Sequence, residues 1–419
     1  MQIAVIGAGW SGCHVALELA GRGHRVLLIE REPDIFNGVS GSFGIRLHKG
    51  PHYPRSRSTR EVCAATLERF CAHYPELVVG HEYAVYAHGT LDAIGHPSKV
   101  SNEVFAEVCH ESPECRQIDP SAWGYTNLEA AYDLDEPSAV LGGRLRDYFR
   151  ARLAAAGIEV RCNSQVLEAA ESAGQFRLLL DGGEVVQVDR VINATGYQSL
   201  VPQIEAAAPE TGLEVVYQVC LGLQYEDSRP GLKPISFIVM DGWFPCLMPQ
   251  IDSHAQQSCN YVLTHGCYTI LGSYATPAQA EALLASLDDA FVESRVRPLS
   301  EQQMCRFWSG FLPRFRYTGW KGVVLAKLKT RSEFRSSVVF EQAGIIHVFP
   351  GKITNVLQAG DEVLALLEGE VCVERDGLCY VKDGVLDTAR HEIHSRPLVG
   401  EANTAGLQTH EMLRSTEHV

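Results

Sequence analysis

The sequence predicts an α/β protein that joins a parallel sheet flanked by helices to a lobe built on a mainly antiparallel sheet. Three observations support this fold class. The chain begins with a strand, a glycine-rich turn, a helix and a second strand. A block of longer, aromatic-rich strands then extends over 213–330, as is typical of antiparallel pairing. An apolar strand at 345–348, followed by a helix that ends at Leu367, repeats the strand-and-helix pattern of the start of the chain.

The elements follow in order from these patterns. The helix expected at 141–155 has apolar residues Leu145, Phe149 and Leu153 at four-residue spacing and stops at Gly157. The other expected helices are 13–22, 59–73 and 277–294. The expected strands are 2–6, 25–29, 158–161, 175–180, 184–188, 190–194, 215–223, 235–240, 261–264, 268–272, 322–327 and 345–348.

The first turn carries the most specific motif. Gly7, Gly9 and Gly12 form G-x-G-x-x-G between a strand and a helix, and Glu30 ends the next strand. In this context Gly7 permits a tight turn, Gly9 lets the backbone approach a pyrophosphate, and Gly12 lets the helix pack on the strand. Glu30 would bind a ribose diol and repel a 2′-phosphate, which disfavours NADP. We therefore expect a Rossmann-type domain that binds a dinucleotide.

Composition excludes several classes of protein. The chain has 419 residues, and 36 Lys and Arg against 51 Asp and Glu give a formal charge of −15 without a basic stripe, which argues against a nucleic-acid binder. With 46% hydrophobic and 21% charged residues, the chain is globular rather than disordered. We find neither a secretory signal nor an apolar run long enough for a membrane span, and expect a cytoplasmic protein.

Cysteine usage points to a reducing environment. The 13 cysteines are scattered and form no C-x-x-C pair. This spacing favours reduced, mostly buried thiols over disulfides or a zinc site. No metal site is therefore expected, and the sequence does not indicate an oligomeric state.

Further blocks accompany the fingerprint. A Ser- and Gly-rich segment occupies 38–50, Asp135-Glu136-Pro137 precedes the 141–155 helix, and Arg335-Ser336-Ser337 precedes Gly351-Lys352-Ile353-Thr354-Asn355. A strand also ends in Ala194-Thr195-Gly196, where the glycine allows the backbone to pass close to a cofactor. In this order the blocks resemble the FAD-dependent oxidoreductases of the D-amino-acid oxidase and glycerol-3-phosphate dehydrogenase superfamily, which have the glutathione-reductase-type FAD fold.

The resemblance implies FAD as the cofactor and a discontinuous FAD-binding domain at 1–80, 135–210 and 335–387. Residues 81–134 and 211–334 would form a substrate-binding lobe, and 388–419 a polar C-terminal tail. The expected FAD contacts are Gly7, Gly9, Trp10, Ser11, Gly12, Glu30, Arg31, Ser40, Ser42, Arg46, Val166, Ala194, Thr195, Gly196, Gly351, Lys352, Ile353 and Thr354.

The candidate catalytic residues are His48, His52, Arg335 and Lys352. Imidazole titrates near neutral pH and suits acid–base catalysis, and His48 is also a candidate for a covalent flavin link. Lys352, together with a helix expected to open at Thr354, would place positive charge where the flavin gathers negative charge.

The expected substrate is a small anion. Arg46, Lys49, Arg55, Arg57 and Arg60 lie in a segment, 46–60, that contains no Asp or Glu, and such a cluster would attract an anion into a cleft. The expected substrate contacts are Arg46, Tyr53, Arg55, Tyr274 and Arg335.

These residues predict an FAD-dependent oxidase or dehydrogenase that moves hydride to flavin N5 from a C–N or C–O bond of an amino or hydroxy acid. Two features depart from the family: Pro350 replaces a glycine, and Gly50-Pro51-His52 resembles UDP-galactopyranose mutase. A redox-neutral flavoenzyme, an isomerase or mutase, is therefore an alternative. A flavin monooxygenase is disfavoured because no second G-x-G-x-x-G marks an NADPH site. A flavoprotein whose lobe binds a partner protein is the non-enzymatic alternative.

Overall fold

The computed structural model describes residues 1–43, 45–201, 214–229, 233–252, 260–329, 337–349, 351–369, 372–375 and 378–381. The strands are β1 Gln2–Ile6, β2 Arg25–Ile29, β3 Ile45–Arg46, β4 Val78–Val79, β5 Tyr83–Gly89, β6 Arg116–Ile118, β7 Leu128–Asp133, β8 Ser138–Ala139, β9 Glu159–Arg161, β10 Val166–Ser172, β11 Gln175–Leu180, β12 Val185–Val188, β13 Arg190–Asn193, β14 Glu214–Asp227, β15 Ile235–Met240, β16 Pro245–Gln250, β17 Asn260–His265, β18 Ile270–Tyr274, β19 Phe315–Lys329, β20 Val338–Gln342, β21 Ile345–Phe349, β22 Cys372–Arg375 and β23 Leu378–Val381. The longer helices are α1 Trp10–Gly21, α2 Arg57–His73, α3 Asn102–His110, α4 Gly142–Ala155, α5 Pro277–Ala285, α6 Arg297–Phe307 and α7 Val356–Leu367.

The first sheet has the strand order β20-β21-β13-β1-β2-β9. Its strands pair in parallel except for β20, which is antiparallel to β21. β1 and β2 are continuous apolar runs because both faces of the sheet are covered. Ile3, Val5 and Leu28 share a core with α1, α4 and α7, whereas Ala4 and Ile6 pack against the antiparallel β10-β11-β12 sheet. The ends of the central strands therefore carry the fingerprint turn on a rigid base.

The second sheet has the order β18-β14-β17-β16-β15-β5-β7-β6, and β19 pairs with β14. Every pairing within it is antiparallel except that of β5 with β15. The mixed fold, with one mainly parallel and one mainly antiparallel sheet, confirms the predicted fold class. All strands of this second sheet lie within 81–134 and 211–334, and those of the first lie outside these segments.

A small third sheet connects the two layers. β8 pairs antiparallel with both β3 and β4, so residues 45–46 lie against 138–139. Leu47 then donates its backbone N–H to Pro137 O at 3.0 Å. This pairing places the segment after β3 beside Glu136, which determines the chemistry of the site below.

The helices of the second lobe differ from the sequence prediction in two regions, 277–307 and 102–110. The single helix expected at 277–294 ends at Ala285, because Asp288 accepts a hydrogen bond from Phe291 N and starts a new helical segment. That segment continues through a π-helical turn, Val292–Val296, into α6, which the sequence did not predict. α3 was also missed; Ser101 caps it by accepting a hydrogen bond from Val104 N. In both cases a local cap outweighs weak periodicity.

Two further expectations concern the chain as a whole. Ten cysteines whose side chains are described are free thiols. Within the described residues, no helix combines the length and apolarity that a membrane crossing requires. The expected tail at 388–419 lies outside the described residues.

Candidate active site

The fingerprint turn forms a cradle at the amino end of α1. Gly7 has φ +94°, and a Cβ atom on Gly12 would lie 1.8 Å from Gly7 O, so both positions require glycine. Gly9 is the N-cap of α1, and no side chain caps the helix. The first amide groups of α1 are therefore available for an anionic ligand such as a pyrophosphate.

Glu30 and Ser40 border this cradle. Glu30 is buried and accepts hydrogen bonds from Ala8 N at 2.6 Å and Glu32 N at 3.0 Å, which hold its carboxylate beside the turn. A Cβ on Gly9 would lie 2.8 Å from Ser40 Oγ, so Ser40 lies directly over the turn. Ser42 O accepts a hydrogen bond from Gln250 Nε2 at 3.0 Å, which ties this segment to β16.

The Ala194-Thr195-Gly196 turn lies on the other side of the cradle. A Cβ on Gly7 would lie 3.1 Å from Ala194 O. Asn193 Oδ1 accepts hydrogen bonds from Thr195 N at 3.1 Å and Thr195 Oγ1 at 2.7 Å, which fixes the turn. Ser199 Oγ donates to Val166 O at 2.6 Å and brings the start of β10 to the same edge. These contacts bring together several of the predicted cofactor residues.

Trp10 and Arg31 lie differently from the others. The Trp10 ring packs in the core against Phe36, Phe70, Tyr74 and Phe149, with ring centroids 5.2–5.7 Å apart. Only the backbone of Trp10, at the start of α1, faces the cradle. Arg31 is ion-paired with the neighbouring Glu32 at 3.2 Å.

The Gly351-Lys352-Ile353-Thr354 segment follows β21, the last strand of the first sheet in chain order. Ile353–Asn355 form a 3₁₀ turn, and α7 begins at Val356 rather than at Thr354 as expected. The reason is local, since Asn355 Oδ1 accepts a hydrogen bond from Lys352 N at 3.2 Å and closes a separate turn. Thr354 is buried and its Oγ1 accepts a hydrogen bond from Thr66 Oγ1 at 3.0 Å, so its side chain holds the turn against α2.

Lys352 belongs to a cluster with Tyr53, His52 and His48. Its Nζ donates a hydrogen bond to Tyr53 OH and lies 3.9 Å from the centroid of that ring. The His52 ring is 4.8 Å from Tyr53 and stacks on His48, with centroids 4.1 Å apart and planes inclined by 14°. Two segments, 48–53 and 351–354, thus place four titratable side chains in one continuous contact.

The enclosure of this cluster shifts its proton affinities. Burial lowers the pKa of Lys352 to about 7. Burial, followed by repulsion from Lys352 and Arg46, holds the pKa of His48 well below its usual value. Burial and the adjacent His48 do the same to the pKa of His52. His52 Nδ1 is buried and has no hydrogen-bond partner among the described residues, so a polar ligand group could satisfy it.

A buried network supports His48 from behind. Tyr86 OH lies 3.0 Å from His48 Nδ1 and donates to Glu136 Oε2 at 2.7 Å. Glu136 also pairs with Arg46 at 2.9 Å, and neither of these two side chains is exposed. Lys49 N donates to Glu136 Oε1 at 2.6 Å. Glu136 therefore organises His48, Tyr86, Arg46 and the backbone after β3.

The positive segment 46–60 is neutralised in the folded chain. Each of its five cations pairs with a carboxylate: Arg46 with Glu136, Lys49 with Glu114, Arg55 with Asp241, Arg57 with Glu61 and Arg60 with Glu111. Four of these acids come from outside the segment and its helix. The interpretation of an uncompensated positive cluster was therefore wrong, since folding supplies the counter-charges that the local sequence lacks.

The remaining predicted residues are placed as follows. Tyr274 is half-buried at the end of β18, opposite Tyr217, and packs with the core of the second sheet. Arg335 lies outside the described residues. A cavity of about 530 Å³ lies beside Ser42, Gln250 and the start of α4, but His48 and Lys352 do not line it.

Sequence reasoning missed Tyr86 and Glu136 as site residues. Glu136 was recognised only as part of the Asp135-Glu136-Pro137 block, and Tyr86 was not among the candidate site residues. The available signal was weak, because Glu136 follows Asp135 in a polar stretch, and nothing in that stretch indicates that its carboxylate is buried against Arg46.

The parallel sheet, the uncapped α1 and the glycine cradle define a dinucleotide-binding protein. The chain belongs to the FAD dependent oxidoreductase (DAO) family, whose sequence profile matches residues 2–349. FAD is thus its cofactor, and the cradle fits this group because the glycine positions leave room that a Cβ would fill. The predicted family, cofactor and enzyme class are confirmed.

Individual relatives divide between two activities. The chain is 51% identical over 419 residues to the FAD-dependent monooxygenase kojA of Aspergillus flavus, covering 99% of this chain and 98% of that protein. Among solved structures, glycine oxidase from Geobacillus kaustophilus has a TM-score of 0.62 at 13% identity, covering 87% of this chain and 94% of that one. NikD, described as an unusual amino acid oxidase, has a TM-score of 0.63 at 16% identity, covering 88% and 94%. The solved structures support the fold alone.

Proposed function

We propose that this FAD-dependent oxidoreductase oxidises a C–O or C–N bond of a small polar substrate, of the hydroxy- or amino-acid type, with Lys352 as the proton acceptor. The observation that carries the proposal is the buried contact series Lys352, Tyr53, His52 and His48. FAD, when bound, supplies the hydride acceptor. The cluster then has to bind the substrate, exclude water and take up the proton.

Lys352 is the group best matched to accept that proton. With its pKa lowered to about 7 by burial, a large fraction of the amine is neutral at physiological pH. Tyr53 OH, hydrogen-bonded to Nζ, orients the amine and provides a path for the proton. His48 and His52 are neutral at the same pH because burial lowers the pKa of each. Neutral imidazoles avoid repelling a protonated Lys352.

His52 is the proposed substrate contact. Its Nδ1 is buried without a partner among the described residues, which costs free energy until a ligand supplies one. Its ring is held between His48 and Tyr53. A substrate hydroxyl or amino group bonded to Nδ1 would therefore be positioned within the same cluster as Lys352.

A second candidate function is oxygen insertion, favoured by the 51% identity to a protein named as an FAD-dependent monooxygenase. Against it, the sequence has no second fingerprint for NADPH. A monooxygenase of this chain would then take its electrons from the substrate itself or from a reductant bound elsewhere.

The two functions are separated by following electrons and oxygen. The holoenzyme is mixed anaerobically with hydroxy and amino acids, and bleaching of the flavin band is recorded. Air enriched in ¹⁸O₂ is then admitted. Oxidase or dehydrogenase action predicts that substrate alone bleaches the flavin band. It also predicts that the organic product carries no ¹⁸O, because any oxygen added by hydrolysis comes from unlabelled water. Product that carries ¹⁸O from O₂, formed with the substrate alone or with an added reductant such as NADPH, would overturn the first proposal in favour of the second.

The role of Lys352 is tested by its pH dependence. Only the neutral amine accepts a proton, so kcat/KM should rise as pH increases through about 7 and level off above it. Lys352→Met should abolish that rise and lower kcat at least about a hundredfold, the usual size of a general-base contribution. Lys321→Met, an exposed lysine on β19, is the matched control and should keep the wild-type profile. An unchanged profile in Lys352→Met contradicts the assignment.

The anionic character of the substrate is tested separately. Because all five cations of 46–60 are paired with carboxylates, none of them offers an uncompensated charge. Comparing each acid with its neutral amide decides the question: a preference for the acid of more than about tenfold in kcat/KM, equivalent to 1.4 kcal/mol, supports an anion, and equal rates refute it.

A further inference from the structure

A second cluster of ionisable side chains lies outside the active-site cluster, between α1 and α2. His14 and Glu18 are one turn apart on α1, so their side chains lie on the same face of the helix. His73 stands in the last turn of α2. One ligand atom from each of the three residues lies within 4.8 Å of the others. Two separate helices therefore bring two imidazoles and one carboxylate to a single point.

We propose that His14, Glu18 and His73 bind a divalent transition-metal ion of the zinc type that joins α1 to α2. The sequence analysis expected no metal site, because no spacing motif links a residue pair on α1 with a residue on another helix. The ion would link two helices: α1 supplies the amide groups of the nucleotide cradle, and the ion would hold His14 and Glu18 of α1 against His73 of α2.

The ligand set selects the class of metal. Imidazole nitrogen suits zinc and its transition-metal neighbours, whereas calcium and magnesium take oxygen ligands. Two histidines and one glutamate form a three-ligand set in which water completes the tetrahedron. His73 is exposed, so its side chain can shorten the remaining distances by a rotamer adjustment without disturbing the core.

The surroundings of His14 match those of a metal ligand. Its Nδ1 lies 2.6 Å from Tyr74 OH, and both side chains are buried. With Nδ1 donating to that oxygen, Nε2 is left as the ligand atom, the arrangement in which a second contact fixes the ring of a metal-binding histidine. A Cβ on Gly360 would lie 2.8 Å from His14 Nε2, so glycine at this position of α7 keeps space around that nitrogen.

The charges nearby leave Glu18 available. Among the residues that the structure describes, none forms an ion pair with the Glu18 carboxylate. Arg69, a cation that acts on both histidines, pairs with Asp361 at 2.6 Å and is thereby neutralised. A divalent ion would meet one uncompensated carboxylate and two imidazoles.

Zinc binding to the holoenzyme tests the proposal. Chelator-treated FAD-loaded protein is titrated with Zn²⁺ by calorimetry, and bound zinc is counted after dialysis. We expect one ion per chain and a rise in Tm that depends on zinc concentration. His73→Ala should weaken binding more than about a hundredfold, and Tyr74→Phe about tenfold. His110→Ala is the matched control, since His110 is also exposed in the last turn of a helix, α3.

The 13 cysteines offer competing ligands, so the coordination shell must be measured. X-ray absorption at the zinc edge should show only nitrogen and oxygen near 2.0 Å, as the three ligands require. Sulfur near 2.3 Å would overturn the proposal, as would equal zinc content in His73→Ala and the wild type. Loss of zinc in His110→Ala alone would also refute it. FAD absorbance, measured in every sample, shows that each variant is folded.

Discussion

Replacing Glu136 with glutamine tests the buried network behind His48. Glutamine keeps the shape of the side chain but removes its charge. The Arg46 and Glu136 side chains are both 0% exposed and 2.9 Å apart, so the variant leaves the Arg46 guanidinium without a counter-ion in the interior. Breaking one side of a buried ion pair costs about 3–5 kcal/mol, which we take as the expected loss in the free energy of unfolding.

An exposed pair provides the matched control. Arg57 and Glu61 lie 2.8 Å apart on α2, with 84% and 64% of their side chains exposed. Glu61→Gln is the same chemical change at the same contact distance, and should cost less than about 0.5 kcal/mol because solvent screens an exposed helix pair. The two variants make the same chemical change and differ in burial and in the hydrogen bonds that Glu136 accepts from Tyr86 OH and Lys49 N. Their difference therefore measures the contribution of the buried setting as a whole.

The assay is unfolding in guanidinium chloride at saturating FAD, followed by circular dichroism. Arg46→Met combined with Glu136→Gln removes both charges and should recover part of the loss, because a neutral pair needs no counter-ion. A loss below about 1 kcal/mol for Glu136→Gln, or equal losses for Glu136→Gln and Glu61→Gln, would refute the inference that the pair is buried and paired as described.

Three further predictions concern the cradle and the cluster. Gly12→Ala should lose FAD and stability because its Cβ would lie 1.8 Å from Gly7 O. Gly21→Ala, whose Cβ would have no atom within 4 Å, should instead stabilise α1 by about 0.5–1 kcal/mol. Flavin absorbance measures FAD content and chemical unfolding measures stability, and equal results for the two variants would contradict the cradle. Gly9→Val should fold but bind little FAD because its side chain would occupy the pyrophosphate space, so full flavin content would refute that assignment. His52→Ala should keep FAD yet raise KM or lower kcat at least about tenfold, and steady-state rates at wild-type level would show that His52 does not contact the substrate.

The nucleotide cradle could be predicted from sequence because its requirements are local. Gly7, Gly9 and Gly12 occupy fixed spacings between one strand and one helix, and the structure shows why two of them must lack a side chain. The buried runs of β1 and β2 likewise indicate a sheet covered on both faces. Local backbone geometry and hydrophobic pattern are properties of neighbouring residues, so a short window of sequence contains them.

The active-site cluster could be predicted only in part. His48, His52 and Lys352 were identified as candidates by residue type, and the structure brings them together through Tyr53. Their proton affinities could not be predicted, because burial is set by the packing of distant segments. The start of α7 was misplaced for a smaller reason, since the Asn355 side chain closes a turn of its own.

The charge of segment 46–60 shows most clearly which properties are local to the sequence and which depend on folding. Five cations stand together without an acid in that segment, which is evident from the order of residues alone. Their pairing with carboxylates depends on folding, because β3 is joined to β8 next to Glu136, and Arg55 contacts Asp241, 186 residues away, at 2.5 Å. Electrostatic attraction depends on distance in space, and strand pairing brings together residues that are far apart along the chain. The glycine cradle was therefore a property of the sequence, and the neutralisation of segment 46–60 is a property of the fold.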